Sequence, residues 1–196
     1  MNSLTLTAIP PSASCRREGL VRNRLELTVI NLNTTEARLK AGSPRAKRYC
    51  SDLLQKLVDT PSVFPSEEEI LLLLEREFLM LGLHPRRIDV EDGRFNLLCR
   101  IGEGRPHLCL NAHVDTVPAN GRSLPSSRVD GDILYGLGSC DDKASVAAMS
   151  PAMLEVASRR SEVSGTIDLL LSVDEEGDAK GIKAAVAQGY RCDMAI

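Results

Sequence analysis

The chain has 196 residues, 43% of them apolar, with 3% aromatic and no Trp. That suffices for one substantial domain whose core is built from Leu, Val, Ile and Ala, as suits a layered α/β structure. A formal net charge of −3 without any basic block argues against a nucleic-acid or membrane-surface partner. No apolar run approaches the ~18–20 residues that a membrane-spanning helix needs.

The six cysteines are Cys15, Cys50, Cys99, Cys109, Cys140 and Cys192, and none forms a Cys-x-x-Cys pair. Cys99 and Cys109 sit in apolar strand-like runs and read as small buried thiols. With no secretory segment at the start, the expected compartment is a reducing cytoplasm. The sequon Asn33-Thr34-Thr35 carries no meaning there.

Residues 1–45 read as a tail or extension, breaker-rich at "AIPPSASC" and with one candidate strand, "LELTVINLN". From Ala46, "AKRYCSDLLQKLVDT" has helical spacing and stops at Pro61. "PSEEEILLLLEREFLMLGL" is the clearest helix, with Ser66 as expected N-cap, acids in its first turn and Gly82 at its end. Short β-like runs follow in "RRIDV", "FNLLCRI" and "HLCLNAHV", the first two separated by a turn at Asp92-Gly93. "RVDGDILYG" reads as a second hairpin. "DKASVAAMSPAMLEVASRR" reads as a helix that Pro151 should kink or divide. "GTIDLLLSVDEEG" is a strand ending in acids, "AKGIKAAVAQG" a helix closed by Gly189, and "CDMAI" the start of another strand. The expected fold is α/β, a mixed, mostly parallel sheet with helices on both faces over residues 46–196. In such sheets the working residues gather beyond the carboxyl ends of the strands.

Polar residues close the predicted strands at two places. In "NAHVDTVP", His113 and Asp115 are two apart, so on a continued strand they would face the same side. A metal-binding imidazole commonly donates its second N–H to a carboxylate, which such a pair could supply. A surface His beside a turn-forming Asp is the plainer alternative. In "LLLSVDEEGD", Asp174, Glu175 and Glu176 crowd at a strand mouth, where their repulsion calls for a compensating charge such as a divalent cation. A solvated acidic loop is the alternative there.

Between these lies "YGLGSCDDKAS", whose glycines allow a tight bend before Asp141-Asp142-Lys143. Asp141 could simply favour a helix N-terminus. A dinucleotide fingerprint fails at this place, because Asp141 would meet a pyrophosphate with like charge. Taken together, one His and two groups of carboxylates suit hydrolytic zinc ligation, and one Asp can bridge two metals ~3.5–4 Å apart.

"HVDTVP", "GLGSCDDKAS" and "SVDEEG" resemble, in order and spacing, the motifs of the metal-dependent acetylornithine deacetylase, succinyl-diaminopimelate desuccinylase and aminoacylase family of zinc peptidases. The resemblance runs from about Ala46 to Ile196 and implies a zinc exopeptidase-like catalytic domain. It implies His113, Asp141 and Glu176 as metal ligands, with Asp141 bridging two zinc ions, for which cobalt or manganese could substitute. It implies Asp115 orienting His113, Glu175 as general base and acid, and a cis peptide between Asp141 and Asp142. The implied activity is hydrolysis of the amide bond in N-acyl amino acids or small peptides, with a homodimer in a full-length form.

Leu137 stands where the family commonly has Arg, and Ala144-Ser145 where it has Gly-Gly. Family enzymes are considerably longer and carry further metal ligands and a lid domain beyond the matching region. The chain therefore reads as the N-terminal part of a catalytic domain. The alternative is a non-catalytic fragment that folds or associates through its open sheet edge. His84 and His107 match no ligand position and read as ordinary surface or loop residues.

Overall fold

Residues 42–120 and 126–196 are described by a computed structural model. The candidate strand "LELTVINLN", the sequon and Cys15 lie outside them. Helix α1 (Pro44–Asp59) begins two residues before the expected start, because Ser43 caps it by accepting from the Ala46 N–H at 3.2 Å and Pro44 needs no N–H partner there. In α2 (Glu68–Met80) the N-cap position belongs to Glu67, not Ser66, and no side chain caps it. The Glu67 carboxylate is engaged elsewhere: it is buried and accepts from Arg94 Nε at 2.9 Å.

The main sheet comprises β1 (Arg86–Asp89), β2 (Phe95–Glu103), β3 (His107–His113), β6 (Gly165–Ser172) and β7 (Met194–Ala195). Its order is β1-β2-β6-β3-β7, and it is mixed as expected. The β1/β2 and β2/β6 pairs are antiparallel, and β6/β3 and β3/β7 are parallel. A separate hairpin joins β4 (Arg128–Asp130) to β5 (Ile133–Tyr135).

Helix α3 (Lys143–Ser158) passes through Pro151 as one element, so the expected division does not occur. It packs on α1, and its buried Val146, Ala147, Met153 and Leu154 hold it in place despite the missing N–H. Together α1, α2 and α3 cover one face of the sheet with a core that includes Leu53, Leu57, Leu74, Phe78, Leu97 and Leu171. Helix α4 (Lys180–Ala187) lies on the other face, over Ile88, Leu98, Cys109 and Leu170. Cys99 and Cys109 are buried, in keeping with their apolar surroundings.

Two devices extend order beyond the ends of β3 and β6. Val63 bridges Thr116 in parallel, and Ser62 Oγ donates to the Val114 carbonyl at 2.7 Å, so the chain stays extended past His113. Asn96, fully buried on β2, donates to the Gly181 carbonyl at 2.8 Å and accepts from the Val173 N–H at 3.2 Å. It ties the end of β6 to the start of α4.

Candidate metal centre

β3 and β6 run parallel, with His113 beside Ser172, so both strands deliver their following residues to one end of the sheet. There one ligand atom each from His113, Asp141 and Glu176 lies within 4.8 Å of the other two. His113 Nε2 is 3.0 Å from Asp141 Oδ1 and 3.7 Å from Glu175 Oε2. The His113 ring is nearly buried, whereas the Asp141 side chain is 79% exposed, so the cluster is rooted in the fold and open to solvent on one side.

The Asp141–Asp142 peptide is cis. The two acids diverge: Asp141 faces the cluster, and Asp142 Oδ2 accepts from the His113 backbone N–H at 3.2 Å. Asp142 occupies the N-cap position of α3 without a side-chain cap bond, and Asp141 is not a helix cap.

His113 Nδ1 lies 3.1 Å from the Asp115 carbonyl oxygen, which can only accept, so Nδ1 carries a proton. In the neutral ring that leaves the Nε2 lone pair facing Asp141. The Asp115 carboxylate is farther from Nδ1, at 3.5 Å, and does a second job. Its two oxygens accept from the backbone N–H groups of Glu175, at 3.2 Å, and Glu176, at 2.9 Å. Asp115 thereby fastens the acidic loop after β6 to the histidine at the end of β3.

The electrostatics follow from this crowding. Burial alone would lower the His113 pKa, but Asp115 and Asp141 outweigh it and push the imidazole up to about 9. Burial opposes charge on Asp115, yet His113 and the two loop N–H groups hold its carboxyl below the ordinary range. Glu176 moves the other way: burial and the neighbouring Asp141 charge raise it.

Asp174 departs from the expectation that a cation compensates all three adjacent acids. It turns away from the cluster and is buried, with Arg94 Nη1 donating to it at 3.0 Å and Asp178 and Lys180 N–H groups donating to its other oxygen. Its left-handed backbone, φ 64°, is one that Asp tolerates. Arg94 and protein amides, not a metal, offset this charge.

Lys143 is a supporting residue that the sequence did not single out. Its fully buried ammonium donates to the Leu57 carbonyl at 2.8 Å and the Thr60 carbonyl at 2.9 Å, closing the C-terminus of α1 beside the start of α3. Desolvation lowers its pKa to about 8. His84 is exposed, as expected. His107 is not an ordinary surface residue: its Nε2 lies 2.8 Å from the fully buried carboxylate of Asp168.

Known proteins resemble the chain over about three quarters of its length. Residues 109–196 match the model of peptidase family M20/M25/M40. It is 33% identical over 156 residues to a succinyl-diaminopimelate desuccinylase from Phenylobacterium zucineum, covering 74% of this chain and 40% of that protein. A second such protein, from Azoarcus sp., is 35% identical over 153 residues, with 72% and 40% covered. A tripeptidase structure from Staphylococcus aureus superposes with a TM-score of 0.62 at 26% identity, over 76% of this chain and 42% of that one. An M20 family metallo-carboxypeptidase from Sulfolobus solfataricus shares the fold, with a TM-score of 0.65 at 18% identity over 75% and 36%. The chain thus spans about 40% of the length of the curated relatives it matches.

Proposed function

We propose that this chain supplies one part of the active site of a zinc-dependent hydrolase that cleaves the amide bond of N-acyl amino acids or small peptides. The observation that carries the reading is the convergence of His113, Asp141 and Glu176 at the carboxyl ends of β3 and β6. One imidazole nitrogen and two carboxylates are a donor set suited to zinc, and with Nδ1 committed to the Asp115 carbonyl it is Nε2 of His113 that would meet the metal, on loss of its proton. These three residues would hold the metal, with Asp141 able to bridge to a second ion in a complete site. Residues 46–196 would form part of the catalytic domain, and the described cysteines are all free thiols, in keeping with a reducing cytoplasm.

When bound, zinc supplies Lewis acidity and brings the pKa of a water towards neutrality. Glu175 would move the proton. Its side chain is 53% exposed, and its Oε2 sits 3.7 Å from His113 Nε2, at the cluster but not fixed in it. Glu175 takes a proton from the attacking water and returns it to the leaving amine. Asp115 keeps the imidazole in one tautomer through its carbonyl and keeps Glu175 and Glu176 in register through its carboxylate.

The test is the zinc content of the purified full chain after dialysis, with His113→Ala and Glu176→Ala alongside. Tight zinc in the wild type, diminished in both variants, is the expected result; no tight zinc in the wild type overturns the site. In a longer form of the protein, Glu175→Ala should retain zinc and lose turnover.

A further inference from the structure

A pocket of about 270 Å³ opens on the α4 face of the sheet, around Arg86, Arg100, His107, Gln188, Tyr190 and Arg191. A water molecule's share of liquid is about 30 Å³, so the pocket has room for a small solute. It lies at the first residue of β3, whereas the metal cluster lies at the last, roughly 20 Å away at the usual rise per residue. It does not depend on the hydrolase reading.

The strand register builds it. Arg86 pairs with Leu98, two residues before Arg100 on β2. Arg100 pairs with Asp168 on β6, and Asp168 pairs with Cys109, two residues after His107 on β3. With alternation of side chains, Arg86, Arg100, Asp168 and His107 share one face. The end of α4 and the turn after it bring Gln188, Tyr190 and Arg191 over that face.

Asp168 fixes the donors in place. It is fully buried and receives Arg100 Nε at 2.8 Å, Arg100 Nη2 at 2.7 Å and the Tyr190 hydroxyl at 2.9 Å, with His107 Nε2 at 2.8 Å. Among the described residues Arg100 Nη1 meets no hydrogen-bond partner. Arg191 Nη1 donates to the carbonyls of Val186, at 2.8 Å, and Tyr190, at 2.6 Å, which spend no positive charge. Arg86 has no carboxylate partner among the described residues. Three guanidiniums thus face one buried carboxylate, a positive pocket in a chain of net charge −3. Guanidinium forks match the geometry of phosphate oxygens, and the lining is almost entirely polar.

The geometry points to a binding site for a small phosphate dianion, free or as the head of a small phosphate ester. The test is isothermal titration of the full chain with inorganic phosphate and with glycerol 3-phosphate, each against potassium chloride of equal ionic strength. One saturable site per chain is expected, and Arg86→Gln and Arg191→Gln should each weaken it by about tenfold, the loss of one charge-assisted contact. Among the described residues neither substitution removes a side-chain hydrogen bond or ion pair beyond the bonds of Arg191 to two carbonyls, and circular dichroism checks that both variants remain folded. Lys47→Gln, an exposed change on α1, should leave the affinity unaltered. Tighter binding of glycerol 3-phosphate assigns the pocket to an ester, and tighter or equal binding of inorganic phosphate assigns it to the free ion. No saturable heat at millimolar concentrations, or wild-type affinity in both arginine variants, overturns the proposal.

Discussion

Nε2 of His113 lies 3.0 Å from Oδ1 of Asp141, a residue 28 positions further along the chain. The contact spans the end of β3 and the turn before α3, and the Asp142 carboxylate reinforces it by holding the His113 backbone N–H. Two consecutive acids thus bind the same histidine, one at its ring and one at its main chain.

Asp115 reaches both halves of the cluster, so its loss should loosen them together. Asp115→Ala is expected to lower zinc affinity by about 10–100-fold while leaving the amount of zinc bound at saturation unchanged. Competition with a chromophoric chelator measures both quantities. An unchanged affinity would show that the carbonyl contact alone orients His113.

Lys143 joins α1 to α3 through two buried carbonyls. Lys143→Met should destabilise the chain by about 2–4 kcal/mol near neutral pH, since the Leu57 and Thr60 oxygens lose their donor. The pH dependence has a definite sign. The folded-state pKa of about 8 lies below the unfolded value, so the unfolded chain binds more protons over the interval between them. Wild-type stability relative to Lys143→Met should therefore rise as pH increases from about 8 towards the ordinary lysine value of about 10.4, where it levels off. Urea unfolding of the two proteins across that range checks it.

Asp168 gives a profile of the same sign, at acid pH. Burial works against its charge, but Arg100, His107 and Tyr190 together hold the carboxyl below its usual value. Its stabilising contribution is present above the unfolded aspartate value of about 3.9 and is lost as pH falls through the lower folded value. Asp168→Asn should cost about 2–4 kcal/mol at pH 7, towards the low end for a broken buried pair because Arg100 remains 44% exposed to water. The gap between variant and wild type should narrow in acid unfolding curves below about pH 4.

Gly181 sits where β6, α4 and Asn96 meet. A Cβ there would come within 2.4 Å of Asn96 Oδ1 and 2.5 Å of the Val173 carbonyl oxygen. Gly181→Ala should lower stability by about 1–3 kcal/mol, because two of the neighbouring atoms belong to backbone that cannot step aside. A thermal melt at neutral pH measures the loss.

Much of the fold was legible locally. Alternation and apolar runs marked β2, β3 and β6, and Gly82 and Gly189 marked helix ends because their left-handed backbones, at φ 77° and 88°, suit glycine. Local signals failed where a long-range partner intervened. Ser66 had the right chemistry for a cap, but Arg94 draws Glu67 into a buried ion pair and the helix begins after it. Pro151 had the wrong chemistry for a helix interior, but packing on α1 carries α3 through it.

By itself the sequence determined which residue types could meet a metal, since His113, Asp141 and Glu176 lie in motifs whose order and spacing are specific. It also determined that strands would end at those motifs, because apolar runs stop where charged residues begin. Only the tertiary structure decided which acid goes where. Asp174, Glu175 and Glu176 are indistinguishable neighbours in the chain, yet the first turns to Arg94 and the other two are fastened by Asp115 towards the cluster. The reason is that a carboxylate's role depends on the donors within about 3 Å of it, and those donors come from segments far away in sequence. His107 and Asp168 make the same point at the other end of β3, where strand register alone brings them together.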